Sequence, residues 1–273
     1  MNLLREISLR LQASGYDAGE AHAVALVVLE DAFGITQTDV YADKVRDFSS
    51  EENVLLSNII KRLEDGEPVQ YCLGRARFDG LLFEVTPATL IPRPETEQLV
   101  DLVAADVPLS ILDIGTGSGC IAVALKRRLP QSRVEAWDIS SEAIDVARRN
   151  AERHAPGIFF QKKDVLECSQ LPKIDRLAVV SNPPYVLEYE REEMERRVVS
   201  YEPNGALFVP DDNPLLFYKK IGTLAAEACA QVYFETNCAF ASDVAELLYG
   251  FGYKDVDVYR DMFDKERFVV ARG

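Results

Sequence analysis

Asn182-Pro183-Pro184-Tyr185 follows the short apolar run Leu177-Ala178-Val179-Val180, which is rich in β-branched residues and reads as a buried strand. Proline has a fixed φ and no backbone N–H, so Pro183-Pro184 ends any sheet ladder and stiffens the loop. The loop then offers a carboxamide, two unpaired backbone carbonyls and a flat ring. That set suits a planar substrate bearing an –NH2 group. Asn182 Oδ1 and the Pro183 carbonyl can each accept one amino proton, with Pro184 stiffening the rim and Tyr185 covering the π face. A proline-rich surface turn is the plainer reading, and the rest of the chain must decide.

A second cluster lies upstream. Ile111-Leu112-Asp113-Ile114-Gly115-Thr116-Gly117-Ser118-Gly119 runs from a strand through a glycine-rich turn into a helix. Glycines let the backbone approach a ligand and take positive φ, and such turns lie at the carboxyl ends of strands, where ligands bind. Asp138 closes the next strand, at about the 20-residue spacing where a carboxylate accepts from ribose hydroxyls. Asp164 follows the third strand, placed to accept from an adenine amino group, with Val165 or Leu166 against the ring. The plainer alternative is a strand–helix turn with solvent-exposed acids. The turn holds no Lys or Arg to neutralise a pyrophosphate. A nucleoside without phosphates, such as S-adenosylmethionine, therefore fits better than NAD.

The elements that must position these residues alternate in type. From Ser110 the pattern predicts strands at Ile111–Asp113, Val134–Asp138, Ile158–Gln161, Leu177–Ser181 and Val232–Thr236. Helices are predicted at Cys120–Leu129, Ser141–His154, Pro214–Ala228 and Ala239–Tyr249. This is an α/β chain with a mostly parallel sheet covered on both faces. The last two strands, Val256–Tyr259 and Phe268–Ala271, have no helix between them and should form an antiparallel hairpin. Residues 1–73 read as a small all-helical domain. Leu3, Leu4, Ile7 and Leu11 recur at helical spacing, Asp17 caps a helix ending at Gly34, and Ser49 or Ser50 with Glu52 opens a third. Residues 74–94 form a β-hairpin about Asp79-Gly80 and an extended proline-rich linker, and 95–273 form the α/β domain. Glu188 to Arg197, dense in both charges, reads as a solvated helix or as a lid or docking surface.

Composition narrows the class. The chain has 273 residues, 48% hydrophobic and 27% charged, with a net charge of −15. No dense basic patch stands out, which speaks against a direct nucleic-acid partner. No apolar run has a membrane span's length, and the N-terminus lacks a signal peptide's apolar core. The five cysteines are scattered without metal-ligand spacing, so no metal is expected and a reducing cytoplasm is. Only His22 and His154 are present, neither near a Ser or Cys motif. A monomer is expected.

The glycine turn, Asp138 and Asn-Pro-Pro-Tyr together resemble a class I S-adenosylmethionine-dependent methyltransferase with a Rossmann-like sheet. More specifically, the chain is similar to the HemK/PrmC family, which methylates a glutamine of peptide chain release factors. The residues carrying the resemblance span almost the whole length. They are the helical start, Glu67-Pro68-Val69-Gln70-Tyr71, the stretch from Phe83 through Thr86-Pro87-Ala88-Thr89-Leu90-Ile91-Pro92-Arg93-Pro94-Glu95-Thr96-Glu97, both motifs above, and Tyr201-Glu202-Pro203 with Ala206-Leu207. The resemblance implies that Gly115, Thr116, Gly117, Ser118, Gly119, Asp138, Asp164, Val165 and Asn182 bind or meet S-adenosylmethionine. It implies too that Asn182, Pro183, Pro184 and Tyr185 hold the glutamine of a Gly-Gly-Gln loop, with Asn182, Pro183 and Tyr185 catalytic. The helical domain would dock the protein substrate. The chain departs from the family pattern at Glu227-Ala228-Cys229-Ala230 and Glu235-Thr236-Asn237-Cys238-Ala239, where a Pro-Gly-Gly turn and Glu-x-Gly-x-x-Gln are common. Two rival readings are an adenine N-methyltransferase on DNA or RNA, which needs a basic groove, and a non-catalytic module keeping the fold.

Overall fold

The computed structural model describes residues 3–42, 44, 46–172 and 174–273. The chain divides into two compact units. One runs to Arg75 and also takes Glu195–Tyr201; the other comprises Ala76–Met194 and Glu202–Gly273. This division differs from the expected boundaries in two places: the hairpin belongs with the α/β unit, and a late segment is lent to the helical one.

The helical unit is set by its caps. Helix α1 (Leu3–Ala13) buries Leu4, Ile7 and Leu11, and α2 (Ala18–Phe33) opens on Asp17, whose side chain accepts from Glu20 N at 2.8 Å. Gly34, at φ 69°, ends α2 in the left-handed conformation. Two short helices, α3 (Gln37–Tyr41) and α5 (Val69–Leu73), flank α4 (Ser50–Glu64), where Ser49 and Glu52 form a capping box. The sequence pattern predicts only α1, α2 and α4, because five residues are too few to show a period. Met1, Asn2, Asp43 and Val45 of the expected helical stretch lie outside the described residues.

In the α/β unit, β1 (Arg75–Phe78) and β2 (Leu81–Glu84) form the hairpin. Its turn residues Asp79 and Gly80 both have positive φ, at 49° and 71°, as a two-residue turn of this twist requires. Helix α6 (Thr96–Ala105) follows the proline-rich linker. The main sheet contains β3 (Ser110–Ile114), β4 (Arg133–Asp138), β5 (Phe159–Lys162) and β6 (Leu177–Ser181). Two short strands, β7 (Val186–Leu187) and β8 (Phe208–Val209), pair beside it, and β9 (Gln231–Glu235), β10 (Asp255–Arg260) and β11 (Glu266–Arg272) complete it. Its order is β10-β11-β9-β6-β3-β4-β5, with β11 antiparallel to both neighbours and the rest parallel.

Helices α7 (Cys120–Arg128) and α8 (Ser141–His154) fill one face of the sheet with α6, and α11 (Leu216–Glu227) and α12 (Ala241–Gly250) the other. Such a sheet, buried on both sides, reads as the near-continuous apolar strands seen in β3 and β6. The chain order reverses beside β3, so the carboxyl ends of β3, β4, β6 and β9 open at a switch point where this architecture binds ligands.

Residues 188–207 leave β7 and return at β8. The expected charged helix is instead a 3-10 turn at Glu188–Glu193, followed by α9 (Arg196–Tyr201) and α10 (Asn204–Leu207). Like charges crowd along 188–193, which leaves little i,i+4 support for an α-helix. Within the helical unit, the Arg197 guanidinium lies 3.7 Å from the Tyr16 ring centre and pairs with Glu20, while Tyr201 Oη donates to Asp65 O. Among the described residues no helix is long and apolar enough to cross a membrane.

Gly119 begins α7 at φ 81°, and a Cβ built there would lie 3.0 Å from Ala147 Cβ on α8. Gly119→Ala should therefore cost about 2–4 kcal/mol, summing left-handed strain and overpacking. Gly252 also has positive φ but open space around it, so Gly252→Ala should cost only about 1–2 kcal/mol. Urea unfolding of the pair measures the difference, and equal losses would show that the α7–α8 approach is not tight.

Candidate active site

A cavity of about 410 Å³ opens at the carboxyl ends of β3, β4 and β6, within the size range of small-molecule sites. Gly115, Gly117, Asp138, Asp164, Val165, Leu166, Asn182, Pro183 and Pro184 all line it, so residues far apart in the chain converge on one wall. Ala88, Leu90, Phe217 and Ile221 make much of the remainder apolar.

Thr116, Ser118, Gly119 and Tyr185 lie outside the cavity lining. Thr116 turns inward, and its hydroxyl donates to Asp113 Oδ2 at 2.7 Å. Ser118 is buried and Gly119 spends its freedom on packing against α8. The Tyr185 ring packs among the apolar residues beneath the sheet, and its hydroxyl faces Glu235. The expected cover over a substrate's π face is thus a tether instead.

Asp138 is held by two backbone donors. Gly117 N donates to Oδ2 and Ser140 N to Oδ1, both at 2.9 Å. Burial raises the Asp138 carboxyl above the usual carboxylate range, against the lowering effect of those bonds. Asp164 caps the short turn at Val165–Glu167 by accepting from Leu166 N at 2.9 Å. Lys163, the one ammonium among the described lining residues, lies 3.7 Å from the Trp137 ring centre.

Asn182 immediately follows β6, and β6 and β9 run parallel with Ser181 opposite Phe234. That register brings Asn182 level with Glu235. Asn182 Nδ2 approaches Thr96 Oγ1 at 3.4 Å, and Thr96 Oγ1 donates to Glu235 Oε2 at 2.7 Å. Tyr185 Oη reaches the other oxygen, Oε1, at 3.4 Å. One buried carboxyl thus ties both ends of the four-residue motif. Sequence reasoning missed Thr96 and Glu235 as site residues. The available signal was positional: Glu235 ends a parallel strand, as Asp138 does.

Glu202 has the same character. Buried at the return of the 188–207 excursion, it accepts from Ile91 N at 3.2 Å and from Arg93 Nη2 at 2.7 Å. It thereby fixes the linker that carries Ala88 and Leu90 into the cavity wall.

The donor set fits S-adenosylmethionine: a carboxylate at Asp138 at the end of β4, an apolar bed at Val165 and Leu166, a second carboxylate at Asp164, and no phosphate-binding cation in the glycine turn. Comparison with known proteins decides the family. Residues 94–203 match the methyltransferase small domain and residues 2–74 the PrmC N-terminal domain. A release factor glutamine methyltransferase of Bacteroides thetaiotaomicron is 42% identical, over 94% of both chains. That of Flavobacterium psychrophilum is 36% identical, over 94% of this chain and 93% of its own.

The chain belongs to the release factor glutamine methyltransferase family. It is an S-adenosylmethionine-dependent methyltransferase of class I fold. Among solved structures, the hMettl16 catalytic domain in complex with a MAT2A 3′UTR hairpin superposes with a TM-score of 0.55 at 18% identity. That match covers 84% of each chain and speaks for the fold alone.

Asp113, at the foot of the methyltransferase's glycine turn, has no exposed surface, and its Oδ1 has no partner among the described residues. Burial pushes its carboxyl up to about 7, partly offset by Thr116 and Ala122 N. The folded chain therefore keeps a proton that the unfolded chain gives up near pH 4. Stability from this group is full below that pH and is lost as pH rises towards 7. Asp113→Asn should remove the slope, gaining about 2 kcal/mol on wild type between pH 5 and pH 8 in urea unfolding. A mutant curve parallel to wild type would mean that Asp113 is ionised in the fold.

Proposed function

We propose that this methyltransferase modifies the side-chain amide nitrogen of the glutamine in the Gly-Gly-Gln loop of peptide chain release factors. The observation that carries the reading is the convergence of Asn182 and Pro183 with Gly117 and Asp138 on one cavity. Relatives matching 94% of the chain are named release factor glutamine methyltransferase. When bound, S-adenosylmethionine supplies an electrophilic methyl group on a sulfonium, whose sulfur keeps the bonding electron pair as the methyl leaves.

An amide nitrogen is a weak nucleophile because its lone pair is delocalised into the carbonyl. Asn182 Oδ1 and the Pro183 carbonyl grip its two N–H protons, which aims the nitrogen and fixes the distance to the methyl group. Both oxygens carry partial negative charge, and they stabilise the positive charge that grows on nitrogen as the new N–C bond forms. The cationic N-methylated amide formed by that bond is strongly acidic and gives its extra proton to water, so no general base of tuned pKa is required. Asp138 orients the ribose, and Val165 and Leu166 bed the adenine. The helical unit serves as the docking surface for the release factor. The enzyme acts on protein, as a monomer, in the cytoplasm where release factors work.

Asn182→Ala should cut kcat by about 10²-fold, by analogy with the loss of one oxyanion-hole donor. Asp138→Ala should instead raise KM for S-adenosylmethionine by about 10- to 100-fold, the scale of lost charge-assisted hydrogen bonds. Radiolabelled S-adenosylmethionine, with a release factor and its Gln→Ala version as acceptors, tests the substrate. Label on the first alone is expected; label on nucleic acid and neither protein would overturn the reading.

A further inference from the structure

We propose that Glu235, acting through Thr96, is the positioning residue that turns the oxygen of the Asn182 carboxamide towards the substrate. The proposal deepens the function above and rests on it in one respect, that Asn182 must act as an acceptor.

The two ends of a carboxamide are nearly equal in size, so packing alone cannot choose between them. The choice matters here, because an –NH2 end facing the substrate amide would set donor against donor. Hydrogen-bond polarity makes the choice. A carboxylate only accepts, so the Thr96 hydroxyl spends its single proton on Glu235 Oε2, at 2.7 Å. Only lone pairs are then left on Thr96 Oγ1 for its other neighbour. That neighbour must present a donor, and Asn182 Nδ2 is the atom found there, at 3.4 Å. With its nitrogen committed, Asn182 has only Oδ1 to offer the cavity. The other oxygen of Glu235 receives the Tyr185 hydroxyl, so the loop is braced at its far end by the same group.

Nothing in ordinary packing asks for a carboxyl at this place. Glu235 is 0% exposed, beside apolar Phe234 and Val232 on β9. Burial pushes its carboxyl up to about 7, and Glu95 adds to the rise. Thr96, Arg267 and Tyr185 oppose it, and Arg267 is itself held by Asp261 at 3.1 Å and by Thr236 O. Once Glu235 takes up a proton it can donate to Thr96 through Oε2, and the hydroxyl is then free to point at Asn182. The relay loses its direction in that form. Ordering of the carboxamide therefore grows as pH rises through about 7 and is lost as pH falls below it.

Three variants test the relay: Thr96→Val, which keeps the shape and removes the hydroxyl; Thr96→Ser, which restores it; and Glu235→Gln. The readouts are kcat, the affinity for S-adenosylmethionine by calorimetry, Tm, and the side-chain 15N–1H signals of Asn182, assigned by their absence in Asn182→Ala. Thr96→Val and Glu235→Gln should lower kcat by about 10- to 100-fold, the scale on which groups orienting a ligand act. Cofactor affinity and Tm should hold, the Asn182 signals should shift, and Thr96→Ser should recover most of the turnover. Wild-type kcat should rise with pH through about 7, with a flatter profile in Glu235→Gln. Unchanged kcat and Asn182 signals in Thr96→Val would overturn the relay. So would a joint fall of kcat, affinity and Tm that Thr96→Ser does not rescue. Should wild type leave the release factor glutamine unlabelled while the Asn182 signals still respond to Thr96→Val, the function reading fails and the relay stands.

Discussion

Two consecutive prolines leave the Asn182–Tyr185 loop without the means by which most loops are held. Neither Pro183 nor Pro184 has an N–H to give, so no ladder can continue past Ser181. Their carbonyls can accept a hydrogen bond but cannot donate one. The loop must therefore be fixed by side chains. Ser181 Oγ donates to Ile114 O at 2.7 Å, joining the ends of β6 and β3. Asn182 is tied through Thr96 and Tyr185 directly to Glu235. Burying a carboxyl at that point costs free energy. It gives a rigid brace in a place where water would otherwise compete for every hydrogen bond, and rigidity of this kind is what positioning catalysis needs.

The cofactor side solves a related problem with the opposite sign. Asp138 lines the cavity, and two backbone N–H groups hold it, one from Gly117 and one from Ser140. Gly117 can give its N–H in this way because positive φ, at 54°, is open to it. The carboxylates of Asp138 and Asp164 line a cavity where Lys163, the one ammonium among the described lining residues, is drawn over Trp137. A sulfonium is a cation that brings no phosphate to be neutralised. The charge pattern of the wall suits it better than it suits a dinucleotide.

Elements whose signal is local were legible in the sequence. The parallel strands, the Asp79-Gly80 turn, the caps at Asp17 and Ser49 and the C-terminal hairpin each rest on contiguous residues. The positions of Asp138 and Asn182 at strand ends follow from those elements. The short helices α3 and α5 are not legible by period, since one turn and a half shows none. The loan of Glu195–Tyr201 to the helical unit is not legible either. It depends on Arg197 meeting Tyr16 and Glu20, and on Tyr201 reaching Asp65, contacts that nothing in the spacing announces.

The same division separates chemistry from geometry inside the site. A carboxamide before two prolines declares what it can bind, because donor and acceptor counts belong to residue types. Which way that carboxamide faces is decided by Thr96, 86 positions away, and by Glu235, 139 positions beyond Thr96. These are polar contacts between residues with no shared period. A buried Glu at the end of an apolar strand breaks the pattern that predicts the strand. Such a break is a sign of function: burial of a carboxyl is tolerated only where its partners repay it. Glu235 and Asp113 each break the apolar run of a strand, and each accepts from a hydroxyl, Glu235 from Thr96 and Asp113 from Thr116 in the glycine turn. A buried acid at a strand's carboxyl end therefore locates the brace of a site, even where the residues it braces are far away in the chain.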